Sequence, residues 1–455
     1  MVRACAIALC LVIELLGACA GPADARPPRP PNVVLVTIDT LRADHLGSYG
    51  YPRATSPNLD RLARSGVRFR TAVAQGSWTY TALPALVTSR FPQDGADFWT
   101  VREGTPWAAG RLPRNATTMA QLFRGRGYRT ALVSGHAGLG RIVGLRGGLD
   151  SADIGDYRAG SVTDRAVEML PELETQPFFL WLHYIDPHGP YAPPAPWDRR
   201  FVADGKLVTG RTVRVGDRPN LPSGGMATND LLDGHRDLDF YVARYDGEIA
   251  YADEQIGRLL AALRASELER DTIVIVTADH GEMLGEHDLY GHLSSLYAPI
   301  LQIPLIVSWP GHLRARVVRG PVMAVDLLPT VAALVGAPPD PAWAGQSLAE
   351  CTRTGRCRDR DAFATRGVEI AVQTSEWKMV CSADGQRCRL HDVLRDPGEW
   401  HDVASARPRV AAALRDHLLA WSRAHPDPGG SRPLGILPEP DAETRAALRA
   451  LGYVQ

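Results

Sequence analysis

Acidic and imidazole side chains follow two of the most apolar segments of the sequence. Asp39 comes directly after the segment Asn32–Ile38, and Asp279-His280 lies just beyond the β-branched segment Thr272–Thr277. In open α/β sheets, ligands bind outside the carboxyl ends of the strands, so these residues are expected to meet at one sheet edge. Carboxylate and imidazole ligands suit a divalent cation. Each residue alone could be a cap or a turn residue, but their shared placement favours a metal site.

These candidate ligands need a sheet to position them, and the sequence as far as about Gly336 predicts one. Strand candidates alternate with helical segments, which is typical of a large, mostly parallel sheet sandwiched by helices. Strands are predicted at Asn32–Ile38, Thr130–Ser134, Phe178–Tyr184, Thr272–Thr277 and Pro304–Trp309, and helices from Ser56, over Thr163–Leu173 and over Asp246–Leu263. The polar segment from Phe201 to Leu238 is interpreted as a long insertion near the mouth of the site.

The pattern changes after Gly336. Short strand candidates with tight turns, followed by a helical segment over Pro408–Ala420, predict a small antiparallel sheet with one packing helix. Lys378 in this sheet is expected to be a solvated strand residue. We therefore expect a catalytic domain over residues 32–336, a C-terminal subdomain over 337–425 and a tail over 426–455.

The beginning of the chain resembles an export signal. An apolar stretch from Ala4 to Ala18 is too short to span a membrane, so residues 1–19 are interpreted as a signal peptide. The stretch ends in Leu-Gly-Ala-Cys19, which resembles a bacterial lipobox and implies a lipid anchor at Cys19. An ordinary cleaved signal peptide is the alternative. Residues 20–31 are Pro-rich and are expected to form a linker. The expected location is the periplasm or the outer membrane of a bacterium.

Four cysteines occur late in the sequence, at positions 351, 357, 381 and 388. In an oxidising compartment they favour two disulfides, and three connectivities are open. The pairs Cys351–Cys357 and Cys381–Cys388 are preferred because each closes a short loop. The alternative is a four-thiolate zinc site, which the absence of a C-x-x-C spacing disfavours.

The charges nearly cancel, with 50 Lys and Arg against 51 Asp and Glu. A nucleic-acid-binding protein is expected to carry a basic excess on one face. No nucleic-acid partner is therefore expected.

Several motifs resemble the sulfatase family of the alkaline-phosphatase superfamily. They are PNVVLVTIDTLRADHLGSYG at 31–50, FFLWLHYIDPHGPYAPP at 178–194, DHGEMLGEHDLYGHLSSLY at 279–297 and LRALGYV at 448–454. They follow the family's order over nearly the whole chain. The resemblance implies an alkaline-phosphatase-like fold and one divalent cation, held by Asp39, Asp279, His280 and the nucleophile. It does not distinguish Ca²⁺, Mg²⁺, Mn²⁺ and Zn²⁺.

The nucleophile motif of the family is altered in this chain. Its usual form is C-x-P-x-R before a helix that ends in L-L-T-G-R, and the helix end here is LVTSR at 86–90. Counting back from Arg90 places Thr79 where a Cys or Ser would mature to formylglycine, and Leu83 replaces the Arg. Because the Cβ of Thr carries a methyl group, no formylglycine is expected. The segment is similar to Thr-nucleophile members of the superfamily, which implies that Thr79 is both nucleophile and metal ligand.

Local alternatives remain at this motif. A helix cap is the simpler role for Thr79, and Ser77 and Thr81 are rival nucleophiles. A hydroxyl is a poor nucleophile until a metal lowers its pKa, and a helix N-terminus favours the alkoxide further. The family's second metal-binding carboxylate is replaced by Thr40, which removes one acidic ligand.

Histidines supply the remaining candidates. The resemblance implies that His188 binds the anionic ester oxygens, and His292 lies where many sulfatases carry Lys. Either imidazole could protonate the leaving group. His183 and His136 are more typical of structural histidines, and His287 of loop packing.

Three functions follow from this resemblance. The first is hydrolysis of a small-molecule or glycan sulfate ester, or of a phosphate ester, through a covalent Thr79 intermediate. The second is a phosphodiesterase or a phosphoethanolamine-type transferase with the same nucleophile. The third is an inactive sulfatase-like protein that binds glycans.

Overall fold

A central sheet organises the protein in the computed structural model, which describes residues 29–93, 110–112, 115–202, 209–216, 225–227, 230–293, 295–426, 442 and 445–446. The strands are β1 (Asn32–Ile38), β2 (Val67–Val73), β3 (Gly110–Arg111), β4 (Arg129–Ser134), β5 (Ile142–Val143), β6 (Ser151–Ile154), β7 (Phe178–Tyr184), β8 (Val215–Gly216), β9 (Met226–Ala227), β10 (Thr272–Ala278), β11 (Met283–Leu284), β12 (Tyr290–Gly291), β13 (Gln302–Ser308), β14 (Arg316–Met323), β15 (Ala362–Thr365), β16 (Glu369–Gln373), β17 (Trp377–Ser382) and β18 (Cys388–Asp392). The helices are α1 (Pro57–Ser65), α2 (Thr79–Thr88), α3 (Met119–Arg124), α4 (Ala159–Leu173), α5 (Leu238–Ala265), α6 (Ala298–Leu301), α7 (Leu327–Leu334), α8 (Ala349–Thr354) and α9 (Pro408–Ala424).

The large sheet has eight strands in the order β14-β2-β13-β10-β1-β7-β4-β6. Neighbouring strands are parallel except where β13 pairs with β10 and β2. Helices pack against the sheet, and α4 and α5 also pack against each other. The predicted fold class, a mostly parallel α/β sheet with helices, is confirmed.

The three central strands β10, β1 and β7 are buried along their whole length. Each is a continuous run of β-branched and aromatic residues, which suits a strand covered on both faces. Burying one Val, Leu or Ile side chain contributes about 1.5–3 kcal/mol, so these strands fix the sheet register firmly. Their carboxyl ends are therefore a rigid edge on which polar side chains can be placed.

A small antiparallel sheet of β15, β16, β17 and β18 follows, as predicted, and α9 packs on it. The disulfides Cys351–Cys357 and Cys381–Cys388 are both present, which confirms the preferred connectivity and excludes the four-thiolate zinc site.

The prediction for Lys378 was wrong. Its side chain is fully buried rather than solvated, and its ammonium donates to Glu399 Oε1 at 2.7 Å. A buried ammonium persists only with such a partner, because its desolvation alone would cost several kcal/mol.

Some predicted segments differ or remain predictions. Helix α5 begins at Leu238 rather than Asp246, so the helix takes in the end of the predicted insertion. The leader over 1–19, Cys19, most of the linker over 20–31 and nearly all of the tail over 426–455 lie outside the described residues, as does much of the insertion. The domain boundaries stay predictions. None of the helices in the described ranges is long and apolar enough to cross a membrane.

Candidate active site

The edge formed by β10, β1 and β7 brings three potential metal ligands together. Asp39 directly follows β1, and Asp279 directly follows β10. The register pairs the last residues of these two strands, so the two carboxylates lie side by side. His183 lies on β7, where the register pairs it with Thr37 of β1. The ligand atoms of Asp39, His183 and Asp279 lie within 4.8 Å of one another, and all three side chains are fully buried.

The chemistry of this cluster fits a cation. Both carboxylate oxygens of Asp39 and Oδ2 of Asp279 are buried without a hydrogen bond of ordinary geometry to any described residue. Burial raises the pKa of Asp39 well above its usual range, and the charge of Asp279 raises it further. Two buried carboxylates with three such oxygens in one cluster cost several kcal/mol, which a divalent cation bound to these oxygens would offset.

His280 is oriented so that one ring nitrogen faces the same cluster. Its Nδ1 lies 2.9 Å from the carbonyl oxygen of Gly281, which only accepts, so Nδ1 carries the proton. Its Nε2 therefore presents a lone pair, 3.8 Å from Asp39 Oδ1 and 3.5 Å from Asp279 Oδ2. This is the tautomer that a metal-binding imidazole requires.

Sequence reasoning underrated His183. Its Nε2 lies 3.4 Å from Asp39 Oδ2, and its Nδ1 lies 2.8 Å from the Thr37 hydroxyl. That hydroxyl donates to the Leu182 carbonyl and accepts from the Trp181 indole at 2.9 Å. In this pattern Nδ1 of His183 donates to Thr37, which leaves Nε2 directed at the cluster. Burial lowers the pKa of His183 to about 4, so the ring is neutral at pH 7, as a metal ligand must be.

Thr79 is the first residue of α2, and its buried hydroxyl lies 3.2 Å from Nε2 of His280. The same hydroxyl also lowers the pKa of Asp39. The N-cap position belongs to Trp78, so Thr79 does not occupy the capping position that was its local alternative. The Thr81 hydroxyl instead donates to the Trp78 carbonyl at 2.7 Å. Of these two candidate nucleophiles, the structure places Thr79 in the cluster and engages Thr81 in the helix start.

Thr40 occupies the position where the family has a second carboxylate. Its side chain is buried, and its backbone amide donates to Asp279 Oδ1 at 3.3 Å. Its φ of 53° is in the left-handed region, which is uncommon for Thr. Thr40 thus contributes a backbone donor to the cluster in place of an acidic ligand.

His188 and His292 lie beside the cluster. The His292 ring centre is 4.6 Å from that of His280 and 5.2 Å from that of His188. The Nδ1 of His188 donates to the carbonyl of Gly189 at 2.7 Å. Burial lowers the pKa of both His188 and His292 to about 4. An anionic ester group would reverse this shift, because it favours an imidazolium next to it.

Glu282 is a site residue that sequence reasoning did not assign. Its Oε1 lies 3.1 Å from Nδ1 of His292, and burial raises the pKa of Glu282 to about 7. Its position in the Asp279-His280-Gly281-Glu282 motif was the available signal. The pair can hold a proton next to the predicted leaving-group position.

Two other histidines have packing contacts. His136 is buried, accepts from the amide of Gly138 at 3.0 Å, and its ring centre lies 6.1 Å from that of His183. His287 stacks on Tyr297 and Trp400 at ring-centre distances of 3.9 and 4.3 Å, which agrees with the predicted loop packing.

The sequence model of the sulfatase family matches residues 31–337, and these include every candidate ligand. The chain belongs to the sulfatase family. It is 27% identical to the uncharacterized sulfatase YidJ of Escherichia coli K12, over 85% of this chain and 87% of that protein. It is 28% identical to human arylsulfatase A, over 89% and 90% of the two chains. Family membership confirms the predicted class, a sulfatase-like ester hydrolase.

Solved structures agree on the fold of this sulfatase. The phosphonate monoester hydrolase of Agrobacterium radiobacter superposes with a TM-score of 0.71 at 21% identity, over 87% of this chain and 96% of that one. A structure solved with its substrate, D-glucosamine-2-N,6-O-disulfate, superposes with a TM-score of 0.69 at 17% identity, over 87% and 98%. At these identities the likeness concerns the alkaline-phosphatase-like fold alone.

Proposed function

We propose that this sulfatase hydrolyses sulfate esters of small molecules or glycans through a covalent intermediate on Thr79. The observation that carries the proposal is the buried Thr79 hydroxyl, which lies 3.2 Å from Nε2 of His280, in a cluster where both oxygens of Asp39 and Oδ2 of Asp279 have no hydrogen bond of ordinary geometry to a described residue. Relatives named as sulfatases support the substrate class. Asp39, Asp279, His280, Thr79 and His183 would hold one divalent cation.

The bound cation would supply positive charge that lowers the pKa of a hydroxyl and attracts ester oxygens. In the first step, Thr79 gives up its proton to solvent, and its oxygen forms a bond to the sulfur as the bond to the leaving alcohol breaks. Thr79 also lies at the N-terminus of α2, where backbone N–H groups favour negative charge. In the second step, water attacks the same sulfur, sulfate leaves, and Thr79 recovers its hydroxyl.

The leaving alcohol needs a proton, and His292 is the donor best placed to give it. Its Nδ1 shares a hydrogen bond with Glu282, so a proton lost to the alkoxide can be replaced from the carboxyl group. His188 would hold the anionic oxygens as its ring becomes protonated in the presence of the ester. Because the two rings lie close together, both imidazoles can contact the same bound ester group.

Phosphate esters, including diesters, are the second candidate substrates. Without formylglycine, the covalent ester on Thr79 can be released only when water or an acceptor alcohol attacks the sulfur or phosphorus. This route of release works for sulfate and phosphate esters alike. The fold is also shared with a phosphonate monoester hydrolase. Transfer to an alcohol instead of water would make the protein a transferase.

The nucleophile assignment is tested with Thr79→Ala and a matched control, Thr81→Ala, in the metal-loaded protein. We expect Thr79→Ala to lower kcat by at least about 10³-fold, because the variant lacks the proposed attacking oxygen. Thr81→Ala should retain kcat, since its hydroxyl serves the helix start. Activity is measured on aryl sulfate, phosphate monoester and phosphodiester substrates.

The same assays separate the alternatives. Full activity of Thr79→Ala would refute the covalent mechanism. Faster turnover of the diester than of the sulfate would replace the proposed substrate. A wild-type protein that binds metal and turns over none of the three would favour the glycan-binding alternative.

We also propose that the protein is exported and anchored through a lipid on Cys19. Two disulfides support an oxidising compartment, where such bonds persist. Labelling with a radioactive fatty acid in a bacterial host, lost in Cys19→Ser, is the expected result.

A further inference from the structure

A groove lined by arginines lies apart from the catalytic cluster, between the large sheet and the small C-terminal sheet. It consists of a cavity of about 820 Å³ and a second cavity of about 380 Å³. Five lining residues, among them Arg70 and Arg319, are common to both cavities, so the two form one continuous groove. Two adjoining cavities suit a chain-like ligand better than a single small ion.

Three arginines give the groove its charge. Arg68 and Arg70 lie two residues apart on β2 and therefore project from the same face. Arg319 lies at the irregularity of β14, opposite Arg70, and such bulges redirect side chains. Within the described ranges, none of the three forms an ion pair with a carboxylate. Arg68 instead lies over the ring of Tyr49 at 4.8 Å.

The larger cavity is lined by four arginines but only two carboxylates, and these two carboxylates share one arginine. Asp44 and Glu286 both bind the Arg42 guanidinium, at 2.8 and 2.7 Å. In the smaller cavity, Glu399 is paired with Lys378. The one remaining carboxylate that lines the groove belongs to Glu376, at the far end from Arg68. The larger cavity thus carries an excess of positive charge toward any ligand that enters it.

Apolar side chains lie between these charges. Trp400 and Val317 line the larger cavity and are 55% and 45% exposed, and Leu394 lines the smaller cavity at 63%. They are three of the five large hydrophobic residues that are exposed in the described part of the chain. Exposed apolar side chains concentrated in one groove mark a binding surface rather than ordinary solvent contact.

We propose that this arginine groove binds a sulfated glycan chain, as a second binding site for the polymer that carries the ester to be hydrolysed. The guanidinium fork matches the oxygens of a sulfate group in a bidentate manner. Trp400, whose ring also stacks on His287, supplies apolar surface for a sugar ring between two charged groups. A flat anionic membrane does not fit a concave groove, and three arginines are few for a nucleic acid backbone.

Only the polymeric identity of the substrate rests on the proposed hydrolase function; binding in the groove does not require catalysis. The binding experiment therefore uses full-length protein carrying Thr79→Ala, with dextran sulfate as probe and neutral dextran as reference. The groove variant combines Arg68→Gln, Arg70→Gln and Arg319→Gln. The matched control removes three exposed arginines outside the groove, through Arg64→Gln, Arg409→Gln and Arg423→Gln.

We expect the groove variant to bind dextran sulfate at least ~10-fold more weakly, with a shallower dependence on salt, because three charge-assisted contacts are lost. The control variant carries the same net charge and should stay within ~3-fold of the parent. In the otherwise wild-type protein, the groove variant should turn over aryl sulfate at the normal rate. Trp400→Ala should weaken dextran sulfate binding without changing the salt dependence.

Equal weakening in both triple variants would overturn the proposal, since attraction would then come from general charge. Tighter groove-dependent binding of single-stranded DNA or of phosphatidylglycerol vesicles than of dextran sulfate would also overturn it. The wild-type protein could show no esterase activity while the groove variant still loses binding. That outcome would refute the proposed function and leave the groove assignment intact.

Discussion

Asp246 and Asp39 are both fully buried carboxylates, but they differ in the hydrogen-bond donors around them. Asp246, on α5, accepts hydrogen bonds from the Tyr51 hydroxyl at 2.6 Å and from Arg53 at 2.9 Å, and its Oδ1 lies 2.7 Å from Nδ1 of His45. Asp39, at the sheet edge, has no hydrogen bond of ordinary geometry to a described residue.

This difference separates a structural carboxylate from a proposed metal ligand. Where the fold requires a buried negative charge for its own stability, it supplies donors from the protein, including a cation such as Arg53. Around Asp39, the proposed cation ligand, the described residues provide no such donor, and a second carboxylate lies nearby. Burial alone therefore does not mark the candidate site; among the described carboxylates, those of Asp39 and Asp279 have buried oxygens without a hydrogen bond of ordinary geometry.

The largest expected effect on stability comes from Asp246→Asn. The substitution leaves the Arg53 guanidinium buried opposite a neutral group, so the free energy of unfolding should fall by about 3–5 kcal/mol. Urea unfolding measures this. The control is Asp164→Asn, which removes an exposed ion pair with Arg258 and should cost less than ~1 kcal/mol. Equal unfolding midpoints for the two variants would contradict the structural role of Asp246.

Asp39→Asn should have the opposite sign in protein freed of metal by a chelator. Replacing a charge that lacks donors removes a desolvation penalty, so the free energy of unfolding should rise by about 1–2 kcal/mol. The same variant should lose bound metal in elemental analysis, and with it the stabilisation that added metal gives to the wild type. A destabilised metal-free Asp39→Asn protein would erase the proposed difference between the two carboxylates.

Thr37→Val should have a smaller effect, since Thr37 only orients His183. Without the hydroxyl, the ring loses the partner of its Nδ1, and metal affinity should fall about 10-fold. Thr277→Val is the matched control, because Thr277 lies in β10, next to β1, and its hydroxyl donates to the Pro304 carbonyl of β13 rather than to a histidine. Metal titration of both variants tests this, and an equal loss of affinity would show that His183 needs no orientation by Thr37.

The central strands could be predicted from the sequence almost residue by residue. β1 and β7 have the predicted bounds because continuous apolar segments leave no doubt about a doubly covered strand. β2 was not predicted, since Arg68 and Arg70 interrupt its apolar pattern. Those arginines face the groove, a tertiary feature that a single segment does not reveal.

The candidate site residues could be predicted only where they lie in a recognisable sequence motif. Asp39, Asp279 and His280 follow strands, and Thr79 has a fixed position in an altered motif. His183 was underrated because its value depends on strand register with β1, which the sequence does not state. Lys378 was misjudged for a similar reason: its partner Glu399 lies in an irregular segment with a positive φ of 59°.

The strand order of the large sheet determines when, during synthesis, the candidate metal ligands can come together. β1 is synthesised first, but its neighbours β7 and β10 follow much later in the chain. His183 can therefore join Asp39 once β7 has been made, whereas Asp279 joins them only after roughly three fifths of the chain has been synthesised. The proposed cation can consequently bind only late in biogenesis, and a chain that ends before Thr272 would lack both β10 and Asp279.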